Sequence, residues 1–169
     1  MLRRIYNRSG ISSLELAVVL ALIAIMATFT IPYLGSWLKH YRVVGASREV
    51  ASTLQEARIK AVSNNLEWRV VIDGDSDTYY LQQGDKPSGS TSWTTQGGTL
   101  SLPKGVIFTD SAGNDIGGTS NIKFNPNGTS SVGSIYILGQ DGTRYYITVL
   151  TTTGRVRIRV WNGSEWVAT

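Results

Sequence analysis

Arg155, Arg157 and Arg159 stand at alternate positions in the segment Gly154-Arg155-Val156-Arg157-Ile158-Arg159-Val160. On a strand they share one face, while Val156, Ile158 and Val160 share the other. Three neighbouring guanidiniums repel one another, and their planar forks suit phosphate oxygens. The plain reading is an amphipathic strand that uses arginine toward solvent. The sharper reading is an anion site, able to hold a nucleic-acid backbone through its phosphates without reading sequence. A second chemically telling residue is Glu15, a carboxylate at the edge of a stretch, Leu16 to Leu38, that carries no formal charge. A charge within lipid costs about 2.5–3.5 kcal/mol even on insertion scales, so an acid there marks function more often than accident.

Other reactive residue types give less. Asp73, Asp75 and Asp77 alternate as calcium ligands do, but an EF-hand then needs glycine and glutamate where this chain has Thr78 and Gly84. They read as a solvated turn. The single histidine, His40, lies just past the uncharged stretch, where a polar interfacial role is expected of it. No G-x-S-x-G elbow, phosphate-binding glycine loop or dinucleotide fingerprint occurs, and no base is placed to activate a serine. Neither catalysis nor a cofactor or metal is expected. The sequence has no cysteine, which excludes a disulfide frame and a thiolate metal site.

The elements that must position these residues follow from periodicity. A helix from Leu16 to Leu38 would be roughly 34 Å long, enough for a bilayer core of about 30 Å. Beyond it Val43, Ser47, Val50, Leu54, Ala57 and Ala61 recur at spacings of three and four, one face of an amphipathic helix that needs a sheet to cover it. Asn64-Asn65 suits the helix end. Strands are expected at Trp68–Ile72, Thr78–Leu81, Leu100–Leu102, Val106–Phe108 and Asn121–Phe124. Two hairpins are expected, Ser134–Leu138 with Arg144–Leu150 around Gln140-Asp141-Gly142, and Arg155–Trp161 with Trp166-Val167 around Asn162-Gly163. From Gln83 to Gly98 the Gly/Ser/Thr-rich composition predicts an exposed, mobile loop containing Trp93.

The order of features at the N-terminus is unusual. Arg3, Arg4 and Arg8 precede Gly10, and the apolar stretch follows it. A secretory signal is cleaved behind its apolar stretch. Cleavage at Gly10 would instead leave the hydrophobic helix on the mature chain. This arrangement resembles the prepilin leader of type IV pilins and type II secretion pseudopilins, with Ile11 as the first mature residue, Glu15 at the fifth place and Pro32 where pilins carry a helix-loosening proline. Ile11 and Ser13 stand where the family commonly has Phe and Leu, and Ala24 where it has glycine. An ordinary single-pass anchor with an incidental glutamate is the bland alternative. Further on, Asn125-Pro126-Asn127-Gly128-Thr129 and Thr153-Gly154-Arg155-Val156-Arg157 are similar to the C-terminal half of the GspH/FimT family of minor pseudopilins and minor pilins.

The resemblance implies an α+β pilin fold, with a long N-terminal helix, transmembrane in its first half and amphipathic in its second, packed on an antiparallel sheet domain. It implies a leader at 1–10, a membrane and filament-core helix at 11–38, and a periplasmic domain at 39–169, comprising a helix at 39–64 and a β domain at 66–169. Gly10 and Ile11 would be the processing site of prepilin peptidase, with N-methylation of Ile11. Glu15 would pair with the N-terminal amine of a neighbouring pilin subunit. The implied place is the bacterial inner membrane, N-terminus cytoplasmic, and then a periplasmic or surface filament. In competence-associated members a Gly-Arg-x-Arg motif is linked to DNA binding, and Arg155 and Arg157 match it, with Arg159 next in line. Type II secretion and type IV pilus roles share all these features. With the three leader arginines removed, the formal charge of +4 nearly vanishes, so any basic patch is local.

Overall fold

The computed structural model describes residues 10–169, apart from the side chains of residues 29–34. The leader residues Arg3, Arg4 and Arg8 and the side chain of Pro32 lie outside the described residues. The chain divides into two compact units, Met1–Trp37 and Leu38–Thr169. One helix, α1, runs from Ser13 to Asn64 and supplies residues to both.

Helix α1 starts where Ser12 offers a cap. Its Oγ accepts the Leu14 N–H at 3.3 Å, and its carbonyl accepts the Leu16 N–H at 3.0 Å. In the first unit the helix carries apolar side chains on every side, and Leu14, Leu16, Val18, Leu20, Leu22, Ile23 and Ile25 are all more than half exposed. Among the described residues no helix is long and apolar enough to cross a membrane.

The second unit is built on the amphipathic part of α1. Val43, Ser47, Val50, Leu54, Ala57 and Ala61 are completely buried, as the spacing predicts. Asn65 ends the helix in the left-handed conformation at φ 54°. Nine strands follow: β1 Trp68–Asp73, β2 Thr78–Gly84, β3 Trp93–Ser101, β4 Val106–Thr109, β5 Thr119–Phe124, β6 Gly133–Gly139, β7 Arg144–Leu150, β8 Arg155–Trp161 and β9 Trp166–Ala168. They form two sheets, ordered β3-β2-β1-β5 and β4-β6-β7-β8-β9, with every pairing antiparallel. Their inner faces share one core with the helix, in which Tyr79, Phe108, Phe124, Ile137 and Ile147 are fully buried. Small residues on α1 let the sheet come close. A Cβ at Gly139 would lie 2.8 Å from that of Val43, so glycine at 139 is what permits the contact.

One expectation is corrected. The segment from Gln83 to Gly98 is not a mobile loop, because β2 runs on to Gly84 and β3 begins at Trp93. Trp93 is half-buried, with the Arg69 guanidinium 4.1 Å from its ring centroid. The cause lies in the edge position of β3. Polar residues occupy both of its faces, so no period-two hydrophobic pattern announces it. The short connection that remains is held by hydrogen bonds. Asp85 Oδ1 accepts the amides of Thr91 and Ser92, and the Glu67 carboxylate accepts those of Gly89 and Ser90.

Glu67 is the principal buried charge of the described residues, 1 % exposed and 2.7 Å from Lys123 Nζ on β5. Burial pushes its pKa up, but the bonds from Lys123, Ser90 and Gly89 outweigh this and hold it down at about 2. A depressed carboxylate stabilises the fold fully above its unfolded pKa near 4.5, and that stabilisation is lost as pH falls toward 2. Its size is on the order of 3 kcal/mol. Thermal unfolding followed by circular dichroism should therefore show the melting temperature falling steeply between about pH 4.5 and pH 2. Glu67→Gln should be less stable at neutral pH and show a much flatter acid limb.

Candidate functional site

The three arginines lie where the alternation puts them. On β8 they pair across to β7, Arg155 with Leu150, Arg157 with Thr148 and Arg159 with Tyr146. Arg155 and Arg157 are exposed and Arg159 is half-buried, while Val156, Ile158 and Val160 pack against the core. Side chains on one face of a strand repeat at roughly 6.6 Å, so the guanidiniums form a row. Among the described residues, none of the three enters a salt bridge.

The turn before β8 sets this row. Gly154 is buried at φ +60°, and its N–H donates to the Leu150 carbonyl at 2.7 Å. A Cβ there would lie 2.5 Å from the Gly128 carbonyl oxygen and 2.9 Å from Arg58 Nε. Two sequence segments far apart, Asn125–Thr129 and Thr153–Arg157, thus meet at a glycine, with Arg58 of α1 laid over it. Arg58 Nε is buried without a hydrogen-bond partner. Nothing in the spacing of Arg58 along the helix foretells this, since it depends on the approach of the two turns.

Sequence reading also missed a row of aromatic rings on the same outer face. Tyr136 of β6 stacks on Tyr146 of β7 at 4.8 Å between centroids, and Trp166 of β9 lies 5.4 Å from Tyr146 and 5.3 Å from Trp161. Hydrogen bonds from Ser134 and Thr148, then the Arg159 charge, draw the Tyr146 hydroxyl below the usual tyrosine range, while burial pushes Tyr136 up. The register of the β6–β7 and β8–β9 hairpins was the available clue, because residues opposite each other share a face.

The remaining candidates are placed as follows. Gly10 and Ile11 precede the helix and are exposed. Glu15 is exposed in the first turn of α1, three residues after the capping Ser12, the spacing of a capping box. An acid there also meets the positive end of the helix dipole. Pro32 lies within the span of α1, and its side chain is not described. His40 Nδ1 lies 3.1 Å from Asp141 Oδ2, which also accepts the Thr143 hydroxyl at 2.7 Å, so the histidine ties α1 to the β6–β7 turn. Burial would raise the Asp141 pKa, but the bonds from Thr143 and His40 lower it overall. Asp73 accepts the Asp75 amide and the Ser76 hydroxyl within its own turn, whereas Asp77 reaches across to accept the Phe108 amide of β4. The arginine row lies in the Leu38–Thr169 unit and Glu15 in the other.

Residues 46–154 match the family described as Type II transport protein GspH. The chain belongs to the GspH family. The match begins within α1 and ends at Gly154, taking in both turns that meet under Arg58. Among solved structures, the minor pseudopilin EpsH from the Type 2 Secretion System of Vibrio cholerae aligns with a TM-score of 0.55 at 13% identity, covering 70% of this chain and 97% of that one. The type IV minor pilin FimU of Pseudomonas aeruginosa aligns with a TM-score of 0.48 at 15% identity, covering 77% and 96%. Comparison with curated protein sequences yields no match. The likeness to EpsH shows the GspH-family fold: α+β, with antiparallel sheets.

This geometry separates residues that hold the GspH-type turn from those it displays. Gly154→Ala should destabilise the chain by about 1–3 kcal/mol, through its positive φ and the contact with Gly128. Arg155→Ala, at an exposed position, should change stability by less than about 0.5 kcal/mol. Urea titrations of the two variants beside the parent chain check both values.

Proposed function

We propose that this protein is a minor pilin or pseudopilin, a structural subunit of an envelope filament rather than an enzyme. The observation that carries this reading is the apolar surface around the first half of α1. From Leu14 to Ile25 large aliphatic side chains are exposed on all sides of one helix. A helix that is hydrophobic all round requires lipid or other helices to cover it. The uncharged stretch from Leu16 to Leu38 is long enough for a bilayer, and family membership supplies the context.

On this reading Gly10 ends a leader removed by prepilin peptidase, and Ile11 becomes a methylated N-terminus. The helix at 11–38 first anchors the subunit in the inner membrane, with its N-terminus cytoplasmic and residues 39–169 periplasmic. It then packs among the helices of other pilin subunits. Pro32 loosens it. Glu15 pairs with the N-terminal amine of a neighbour, which removes the penalty of a lone buried charge and fixes axial register. Its place in the first turn of the helix supports this, since the helix end already favours an anion there. Glu15→Ala should leave membrane insertion intact and strongly reduce incorporation into filaments. Fractionation of membranes and sheared filaments measures both, and normal incorporation of the variant would remove the role assigned to Glu15.

A second reading is DNA capture by Arg155, Arg157 and Arg159, as in natural transformation. It is favoured by the outward row of guanidiniums beside aromatic rings, which among the described residues enters no salt bridge. Phosphate contacts release counterions, so affinity must be greatest at low salt. In a mobility-shift assay with the full chain in non-ionic detergent, Arg155→Ala/Arg157→Ala should weaken binding and flatten its salt dependence by about two ions. No shift by the parent chain at low salt would end this reading.

A further inference from the structure

Strand β1 changes sign along its outer row. Trp68, Val70 and Ile72 point into the core, so Arg69, Val71 and Asp73 point away from it. Arg69 and Asp73 stand roughly 13 Å apart along the strand, too far to pair with each other. The Arg69 end is held in place. Its guanidinium lies 4.1 Å from the Trp93 ring centroid, and its Nε donates to Gln82 Oε1 at 2.8 Å, while Gln82 Nε2 donates to Thr95 Oγ1. Among the described residues the two terminal nitrogens of Arg69 have no acceptor. Lys123, opposite Arg69 on β5, is already paired with Glu67. Burial lowers the Arg69 pKa, as befits a charge partly withdrawn from water without a counter-ion.

The other end of the same sheet carries acids in excess. The β1–β2 turn closes against the segment before β5, where the Gly74 N–H donates to the Gly118 carbonyl at 2.9 Å. That segment brings Asp115 near Asp73, Asp75 and Asp77. Burial pushes the Asp77 pKa up, the Phe108 amide opposes it, and the charges of Asp115 and Asp73 add to the rise. Asp75 and Asp115 are exposed, and among the described residues no cation pairs with any of the four acids. Between the two ends the outer face is polar, with Gln82, Thr95 and Asn121 on it.

We infer that the acidic turn of one copy of this chain seats on Arg69 of the next, a head-to-tail contact between successive subunits. Trp93 and Gln82 hold the guanidinium so that its two terminal nitrogens are free to take a carboxylate in paired hydrogen bonds. A side chain already fixed in this way loses little freedom when it is bound. Asp75 and Asp115 supply carboxylates that no cation holds. Stacking the two faces over their whole length would withdraw Gln82, Thr95 and Asn121 from water, so the contact is made by the ends. The two patches differ, which makes the contact heterologous, and such contacts repeat into open helical arrays where the rotation does not close a ring. The inference deepens the filament reading and rests on it, adding a contact outside the apolar half of α1.

Cross-linking of the full chain in non-ionic detergent tests it. The sequence has no cysteine, so only introduced thiols react. Ser92, next to Trp93, and Thr119, opposite Asp73, are exposed positions for them. Ser92→Cys chains mixed with size-tagged Thr119→Cys chains and a short bis-maleimide should give the mixed dimer at low salt, in preference to either like-with-like product. Arg69→Ala in the Ser92→Cys chain should lower that yield about tenfold. Arg69→Glu there should be rescued by Asp75→Arg/Asp115→Arg in the other chain. A chain carrying both cysteines should give a ladder of products beyond the dimer. Absence of the mixed dimer would overturn the inference, as would an undiminished yield from an Arg69→Ala chain whose circular dichroism matches the parent. Products that stop at the dimer would overturn the head-to-tail arrangement. Glu15→Ala should leave the mixed yield unchanged, so failure of this contact is read apart from failure of the filament role, and a yield that falls with it would assign the link to the helices and overturn the inference too.

Discussion

The Leu38–Thr169 unit is organised by one requirement, that the stripe Val43, Ser47, Val50, Leu54, Ala57 and Ala61 on α1 be withdrawn from water. An amphipathic helix of this length gains most of its stability from tertiary packing of its apolar face. Here that face is made of small and medium side chains, so the sheets must come in close to cover it. Gly139 against Val43 marks how close they come. The division of nine strands into two antiparallel sheets follows from covering a long stripe with short strands. The alternation along those strands then decides what faces solvent, including the arginines of β8.

Polar groups trapped by this packing are handled locally. Glu67, immediately after the helix, is buried with Lys123 and two loop amides around it. It joins the end of α1, the connection between β2 and β3, and β5 at a single carboxylate. Removing Lys123 would leave Glu67 as an uncompensated buried charge. Arg58 is the counter-case, a guanidinium laid over a buried glycine with its Nε left without a partner. The first site ties three segments together, and the second lies where two distant turns meet.

Most of the fold could be read from the sequence because its periodicities are clean. The helical stripe, the Asn65 helix end and both late hairpins rest on patterns of three to four, or of two, bounded by Asn, Asp and Gly. The reading failed at β3, where an edge strand with polar residues on both faces has no hydrophobic alternation to show. The arginine row was legible for the same reason that its strand was. The aromatic row beside it was not, because its members come from four strands and meet only once the register is set. Arg58 was beyond reach, since its position acquires meaning only where two distant turns touch. At the N-terminus, the order of arginines, glycine and glutamate was legible, but the local part played by Ser12 in capping the helix was overlooked.

The strict alternation on β7 and β8 has a consequence for how such a molecule can change over generations. Tyr145, Ile147 and Val149 face inward and belong to the core, while Thr148, Tyr146 and the arginines face outward and lie outside that core. Every second codon along these strands is therefore nearly released from the demands of folding. A lineage can rewrite that outer surface, exchanging cations for hydroxyls or rings for aliphatics, while the inner residues keep the scaffold intact. Divergence in what is touched can thus run far ahead of divergence in architecture, which is what 13% identity beside a shared fold looks like.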